Sequence, residues 1–253
     1  MPAMNYARIA EKYDAYVQST FDLPFFLEEA RRAGGPVLEL MAGTGRVTLP
    51  LLEAGVPLTC VDSSPEMLAI LRRKLAEGGL QAEVVRQDVT ALDLPQRFPL
   101  IILPFNSFSE LLTVENQRKA LESIHAHLAE GGRFICTLHN PPVRMKGEDS
   151  RLRLYGKFPL PEDGTLLLWG LSQYAPGNPL VTGLQLYEEY DADGIMRQKT
   201  MLDVRFRLVE KDEFAALATE AGFTIVALYG NYDRSPFEEG SSPFMIWELT
   251  GGA

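Results

Sequence analysis

Five short apolar runs punctuate the first 140 residues, at 36–40, 58–61, 82–87, 100–103 and 134–138. Each is rich in Val, Ile or Leu. Each ends on glycine or polar residues: Gly43-Thr44-Gly45, Asp62, Asp88, Asn106-Ser107 and His139. Short runs without an alternating polar face read as parallel strands covered on both sides. Helical spacing separates them. Ser63, Ser64, Pro65 and Glu66 supply a helix start, through a serine N-cap, a first-turn proline or a Ser63–Glu66 capping box. Met67, Leu68, Leu71 and Leu75 then face inward, and Gly78-Gly79 stops the helix. A second helix carries Leu121, Ile124 and Leu128 and is expected to stop at Gly131-Gly132. A third carries Phe214, Leu217, Ala218 and Ala221 and ends at Gly222. Strands alternating with helices predict an α/β chain with a doubly wound, mostly parallel sheet.

The rhythm changes after Asn140. Four longer runs, 152–158, 165–174, 181–190 and 196–207, follow one another. The breaks between them hold Pro159 and Gly164, Pro176 and Pro179, and Asp191 and Gly194. Such links predict hairpins, hence an antiparallel cap inserted into the sheet domain. Asn140-Pro141-Pro142-Val143 reads as the turn into this cap. Two further strands, at 224–228 and 244–249, complete a seven-stranded sheet.

Composition narrows the function classes. Of 253 residues, 46% are hydrophobic and 23% charged, as in ordinary soluble domains. With 24 basic and 34 acidic residues the formal charge is −10, which disfavours a nucleic-acid partner. Cys60 and Cys136 sit in apolar runs and read as buried strand cysteines; neither a disulfide framework nor a metal site is expected. No run approaches the ~18 apolar residues of a membrane span. The N-terminal residues lack the apolar stretch of a signal peptide, so a cytoplasmic location without membrane association is expected.

In an open α/β sheet ligands bind beyond the carboxyl ends of the strands. The residues there are Glu39 and Ala42-Gly43-Thr44-Gly45, then Asp62, then Asp88, then Phe105-Asn106-Ser107. A carboxylate ending the second strand can accept both hydroxyls of a ribose, and alternatively can cap the next helix. A dinucleotide loop needs a third small residue, and Thr48 stands there instead. Carboxylates around the loop suit a ligand that carries ammonium and sulfonium charge.

At these residues the chain resembles the class I S-adenosylmethionine-dependent methyltransferases, of the bacterial small-molecule type. The match runs through Val37-Leu-Glu-Leu-Met-Ala-Gly-Thr-Gly-Arg46, Val61-Asp-Ser-Ser-Pro-Glu-Met-Leu68 and Gln87-Asp-Val89. It extends to Tyr6-Ala-Arg-Ile-Ala-Glu-Lys-Tyr-Asp14, similar to that family's lid helix, and to Tyr229-Gly-Asn-Tyr-Asp-Arg-Ser-Pro236. One departure is Met41, where the family has its first glycine. The resemblance implies a Rossmann-like core at 35–140 and 208–253, an N-terminal helical lid at 1–34 and a β cap at 141–207 that selects the substrate. It implies S-adenosyl-L-methionine as cofactor. Glu39 would hold the ammonium of the methionine portion, with Ala42, Gly43, Thr44 and Gly45 against the cofactor. Asp62 with Ser63 would meet the ribose, Met67 the adenine, and Asp88 and Val89 the adenine edge, with Phe105 and Asn106 beyond the fourth strand. His139 is the candidate general base and Tyr13 the candidate closing residue. The expected reaction is methyl transfer to an N or O nucleophile of a small-molecule acceptor. A non-catalytic adenosylmethionine-binding module and a nicotinamide-dependent oxidoreductase are the rival readings. The aromatic cap residues, Tyr155, Phe158, Trp169, Tyr174, Tyr187, Tyr190 and Phe206, are expected either to wall the acceptor site, or to pack one face of the cap sheet against the core or form a homodimer interface.

Overall fold

Covered aliphatic runs become parallel strands because helices on both faces remove them from water. The computed structural model describes residues 3–146, 149–175 and 177–252. Met1 and Pro2 of the expected lid, Pro176 of the second hairpin break, and Gly147 and Glu148 of the cap entry lie outside the described residues, as does Ala253. After α1 (Ala10–Tyr16) and α2 (Leu23–Ala33) the chain enters β1 (Val37–Leu40). It then runs through α3 (Thr48–Glu53), β2 (Leu58–Asp62), α4 (Pro65–Gly78), β3 (Glu83–Arg86), β4 (Phe98–Leu103), α5 (Val114–Ala126) and β5 (Leu128–His139). A four-residue turn of helix, α6 (Pro141–Arg144), leads to β6 (Arg153–Pro159), β7 (Thr165–Gln173), β8 (Leu180–Tyr190) and β9 (Met196–Arg207). Then come α7 (Lys211–Glu220), β10 (Phe223–Tyr229) and β11 (Phe244–Gly251).

The seven-stranded sheet has the order β10-β11-β5-β4-β1-β2-β3, and β11 alone runs against its neighbours. Order reverses between β1 and β4, which puts the switch point beside the first strand. Phe98, Phe108, Phe134 and Phe214 fill one side of the sheet, and Phe26, Leu51, Leu68 and Leu71 the other, all fully buried. Each contributes about 1.5–3 kcal/mol by leaving water. Cys60 and Cys136 are buried as expected, and burial pushes both thiols upward. Among the described residues no helix is long and apolar enough to cross a membrane.

The second predicted helix is shorter than its pattern. α5 ends at Ala126, and Leu128 opens β5 instead of closing the helix face. Gly131 and Gly132 therefore lie inside the strand. A Cβ on Gly132 would stand 2.8 Å from the Ala129 carbonyl oxygen and 2.9 Å from that of Phe98, so the glycine serves a close backbone approach. Of the proposed helix caps, Ser64 is used: its hydroxyl accepts from Met67 N at 3.3 Å.

The cap is a separate antiparallel sheet, β6-β7-β8-β9. Leu166, Leu168, Tyr187 and Leu202 alternate onto its inner face and pack with Ile9 and the rings of Tyr13 and Tyr16. The cap thus rests on the N-terminal segment, which in turn lies across the rim of the larger sheet.

Candidate active site

The rim beyond β1, β2, β3 and β4 opens into a cavity of about 690 Å³. Its floor is the turn after β1. Met41 takes a left-handed φ of 54° where the family pattern has glycine, followed by Gly43 at 58° and Gly45 at 90°. A side chain in this region costs roughly 1–2 kcal/mol, so Met41 keeps the loop's shape at a penalty. At Gly45 contact also decides: a Cβ there would stand 2.5 Å from Leu71 Cδ1 of α4.

Asp62 closes the turn. Its Oδ2 accepts from Gly43 N and its Oδ1 from Ser64 N, each at 2.8 Å. An ionised carboxylate offers about four acceptor positions, so roughly half remain for a ligand. Burial raises its pKa, against the lowering effect of the Ser64 and Gly43 N–H groups. Ser63, Met67, Asp88 and Val89 line the same cavity. Asp88 Oδ1 accepts from Thr90 N at 2.9 Å and from Thr90 Oγ1 at 2.8 Å.

Four residues expected at the cofactor lie behind this wall. Ala42 is buried in the core. Gly45 packs on α4. Thr44 Oγ1 donates to Asp14 Oδ1 at 2.6 Å, and Lys74 bridges Asp14 at 2.5 Å and the Thr44 carbonyl at 3.0 Å, stitching α1 to the loop. Glu39 is fully buried and accepts from Thr48 Oγ1 at 2.6 Å. Burial raises the Glu39 carboxyl from 4.5 to about 7, the Thr48 bond and Arg46 opposing it. The fold therefore holds this proton more tightly than the unfolded chain does. Its stabilising effect is complete below about pH 4.5 and is lost as pH rises through about 7. Glu39→Gln keeps an acceptor for Thr48 and removes the titration. In denaturant melts the variant should gain on the order of 3 kcal/mol over the parent between about pH 4.5 and pH 8. Equal differences at both pH values would contradict this.

Beyond β4, Phe105 and Asn106 both adopt a φ of 61°. Two successive left-handed non-glycine residues are strained by about 1–3 kcal/mol each, a feature that collects at functional sites. They lead into a 3₁₀ turn, Ser107–Glu110. A second cavity of about 250 Å³ adjoins here, lined by Asn106, His139, Arg144, Gln185 and Phe206. Tyr6, Tyr13, Phe105, Glu110 and Arg205 line both cavities and form their common wall. His139 stacks on Phe244 with centroids 5.8 Å apart, and burial, aided by Arg144, lowers its pKa to about 4. Tyr13 makes edge contacts with Tyr6 and Tyr16, and burial raises its hydroxyl pKa.

The structure adds residues to which sequence reasoning gave no role. Glu110 stands in the common wall, and the Tyr6 hydroxyl donates to its Oε1 at 2.6 Å. Burial raises the Glu110 carboxyl to about 7; Tyr6 lowers it and Asp62 raises it. The available signal was position: Glu110 closes the turn after the fourth strand. The expected aromatic wall is largely absent. Of the seven cap aromatics, Phe206 alone lines either cavity among the described residues. Tyr187 is buried and bonds Gln185 at 2.6 Å and the Tyr16 hydroxyl at 3.2 Å, while Trp169 and Tyr190 both donate to Glu188.

Comparison with known proteins agrees with this architecture. Residues 37–132 match the family model described as a methyltransferase domain. The glycine/sarcosine N-methyltransferase of Halorhodospira halochloris is 26% identical over 244 residues, which cover 92% of this chain and 81% of that protein. The crystal structure of an S-adenosylmethionine-dependent methyltransferase from Clostridium acetobutylicum ATCC 824 superposes with a TM-score of 0.81 at 19% identity, over 98% of this chain and 99% of that one. The CcbJ methyltransferase of Streptomyces caelestis superposes with a TM-score of 0.78 at 25% identity, over 99% of this chain and 98% of its own. Residues 37–132 form a methyltransferase domain, and these likenesses together support a class I S-adenosylmethionine-dependent methyltransferase.

Proposed function

We propose that this enzyme methylates an N or O nucleophile on a small molecule held in the second cavity, and that it works in the cytoplasm. The pair of adjoining cavities with one common wall carries the reading: it offers a donor site and an acceptor site that meet at Tyr13 and Phe105. The charged groups of the larger cavity, Asp62, Asp88 and Glu110 against Arg205, suit a cationic ligand. Asp62 would take the ribose hydroxyls, Met67 the adenine, Asp88 and Val89 its edge, and the Gly43 backbone the chain beyond the ribose. Glu39, behind the loop, would reach the ammonium through water. When bound, S-adenosylmethionine supplies an electrophilic methyl group on sulfonium. The chain's own contribution is alignment and exclusion of water. Residues 1–34 act as a lid over the donor, and 141–207 as the cap that selects the acceptor. His139, neutral at ordinary pH, accepts a hydrogen bond from the acceptor. The N-methyltransferase named above supports nitrogen as the nucleophile. A homodimer would use the outer cap face, where Leu154, Trp169, Leu186 and Met201 form one cross-strand row, with Leu154 48% and Met201 58% exposed.

Adenosylhomocysteine at a hundred times its dissociation constant should stabilise the fold by about 2.7 kcal/mol, and NAD should leave it unchanged. Labelled methyl donor incubated with a metabolite extract should then yield a labelled small molecule. Stabilisation without transfer would favour a binding module; stabilisation by NAD alone would favour an oxidoreductase.

A further inference from the structure

We propose that the second cavity receives a protonated amine, held by Glu110 and Asn106, and that Glu110 removes its proton to free the nucleophile. This rests on the methyl-transfer reading and adds to it the acceptor's chemical class.

Asn106 and Glu110 both line this space, and each carries an acceptor without a full set of partners. Asn106 Oδ1 is buried and has no hydrogen-bond partner among the described residues. Glu110 receives the Tyr6 hydroxyl on Oε1, and its Oε2 takes no hydrogen bond among the described residues. A buried acceptor left unpaired is costly, the more so when charged. The turn that creates the situation is the strained one: Phe105 and Asn106 are left-handed, and the 3₁₀ turn behind them brings Glu110 to the cavity that Asn106 lines. A hydroxyl has one proton to donate, whereas an ammonium has up to three. Two separate acceptors are therefore matched by an ammonium and only half matched by an alcohol.

The electrostatics agree with that placement. The groups facing Glu110 are Tyr6 from the first turn of the chain, Tyr13 from α1, Asp62 from β2 and Arg205 from β9. Burial, with Asp62, outweighs the Tyr6 hydrogen bond and brings the carboxyl to about 7. A proton acceptor works best when its pKa lies near the working pH, which favours Glu110 over His139 at about 4. In the step, an N–H bond of the ammonium breaks and the proton passes to a Glu110 oxygen. The bonding pair stays on nitrogen as the lone pair that attacks the methyl group. One positive and one negative charge become two neutral groups, so no co-reactant is needed.

The test uses the full chain loaded with adenosylhomocysteine and titrated calorimetrically with n-butylamine and with n-butanol. At about pH 8 the amine should bind at least about tenfold tighter than the alcohol. E110Q, titrated at saturating adenosylhomocysteine, should abolish that preference. Tyr6→Phe removes a donor that favours the carboxylate, so the midpoint at which amine binding is lost on acidification should move to higher pH. Equal affinities in the parent, or a preference that survives in E110Q, overturns the proposal. If E110Q loses adenosylhomocysteine binding, the Tyr6→Phe midpoint decides, and an unmoved midpoint overturns it. Failure of the methyl-transfer reading would show separately, as no adenosylhomocysteine binding by the parent chain or as binding with no labelled product from the metabolite extract.

Discussion

Asp62→Ala is expected to weaken adenosylhomocysteine binding roughly ten- to a hundredfold, the equivalent of about 1.5–3 kcal/mol for two lost hydrogen bonds to a charged acceptor. The geometry makes a bare affinity loss ambiguous. Asp62 also holds Gly43 N and Ser64 N at 2.8 Å, so the same substitution frees the glycine loop and lowers stability by about 1–3 kcal/mol. A ligand-side cycle separates the two effects. If Asp62 accepts the ribose hydroxyls, an adenosylhomocysteine analogue lacking both should bind the parent weakly. It should then lose little more on Asp62→Ala. Equal losses for both ligands would leave Asp62 as a loop-positioning residue only. Calorimetric titration of the two ligands against the two proteins reads the result.

How far the site could be read from the chain follows from locality. Asp62 ends β2, Asp88 follows β3 by two residues, and Gly43 and Gly45 sit in a strand-to-helix turn, so period and punctuation locate them within a few residues. Met41 broke the expected glycine pattern, yet the backbone takes the left-handed angle there regardless, a tertiary demand that propensity does not report. The six residues of α3 give too few turns for an apolar period to mark a helix there. β5 starts earlier than its apolar run suggests, because Gly131-Gly132 mimics a helix stop; the left-handed φ of 69° accounts for Gly131, and the close approach of the Phe98 carbonyl for Gly132. Glu110 and Tyr6 are 104 residues apart, and only the lid's path across the rim brings them together. For the cap aromatics the sequence leaves the two readings open, because which face meets the cavity depends on the N-terminal segment, which occupies the inner face and makes Tyr187 part of the core.

The link that follows α1 is held by a buried bidentate ion pair, and the second large effect is expected there. Arg46, the residue after Gly45, donates from Nη1 and Nη2 to both oxygens of Asp22, at 2.6 and 2.7 Å, and from Nη1 to the Ser19 carbonyl at 2.8 Å. Its guanidinium also lies 4.4 Å from the centroid of the Phe105 ring. Asp22 is 1% exposed, so surface screening does not apply and the fork geometry is bidentate. Removing one partner of a buried pair strands the other charge, at about 3–5 kcal/mol. Arg46→Met should therefore lower stability by about that amount in a denaturant melt. Removing both charges should not: Asp22→Asn combined with Arg46→Met should recover most of the loss, because replaced buried pairs are often close to neutral. A double variant as unstable as the single one would show that packing of the arginine stem, not the stranded charge, sets the cost. The recovered double variant then isolates function. It retains the fold but lacks the tie between the glycine loop and the 19–22 link, and the cation that supports strained Phe105 at the common wall. Its adenosylhomocysteine affinity should fall about tenfold despite restored stability. Unchanged affinity would mean that the tie between lid and loop serves folding alone.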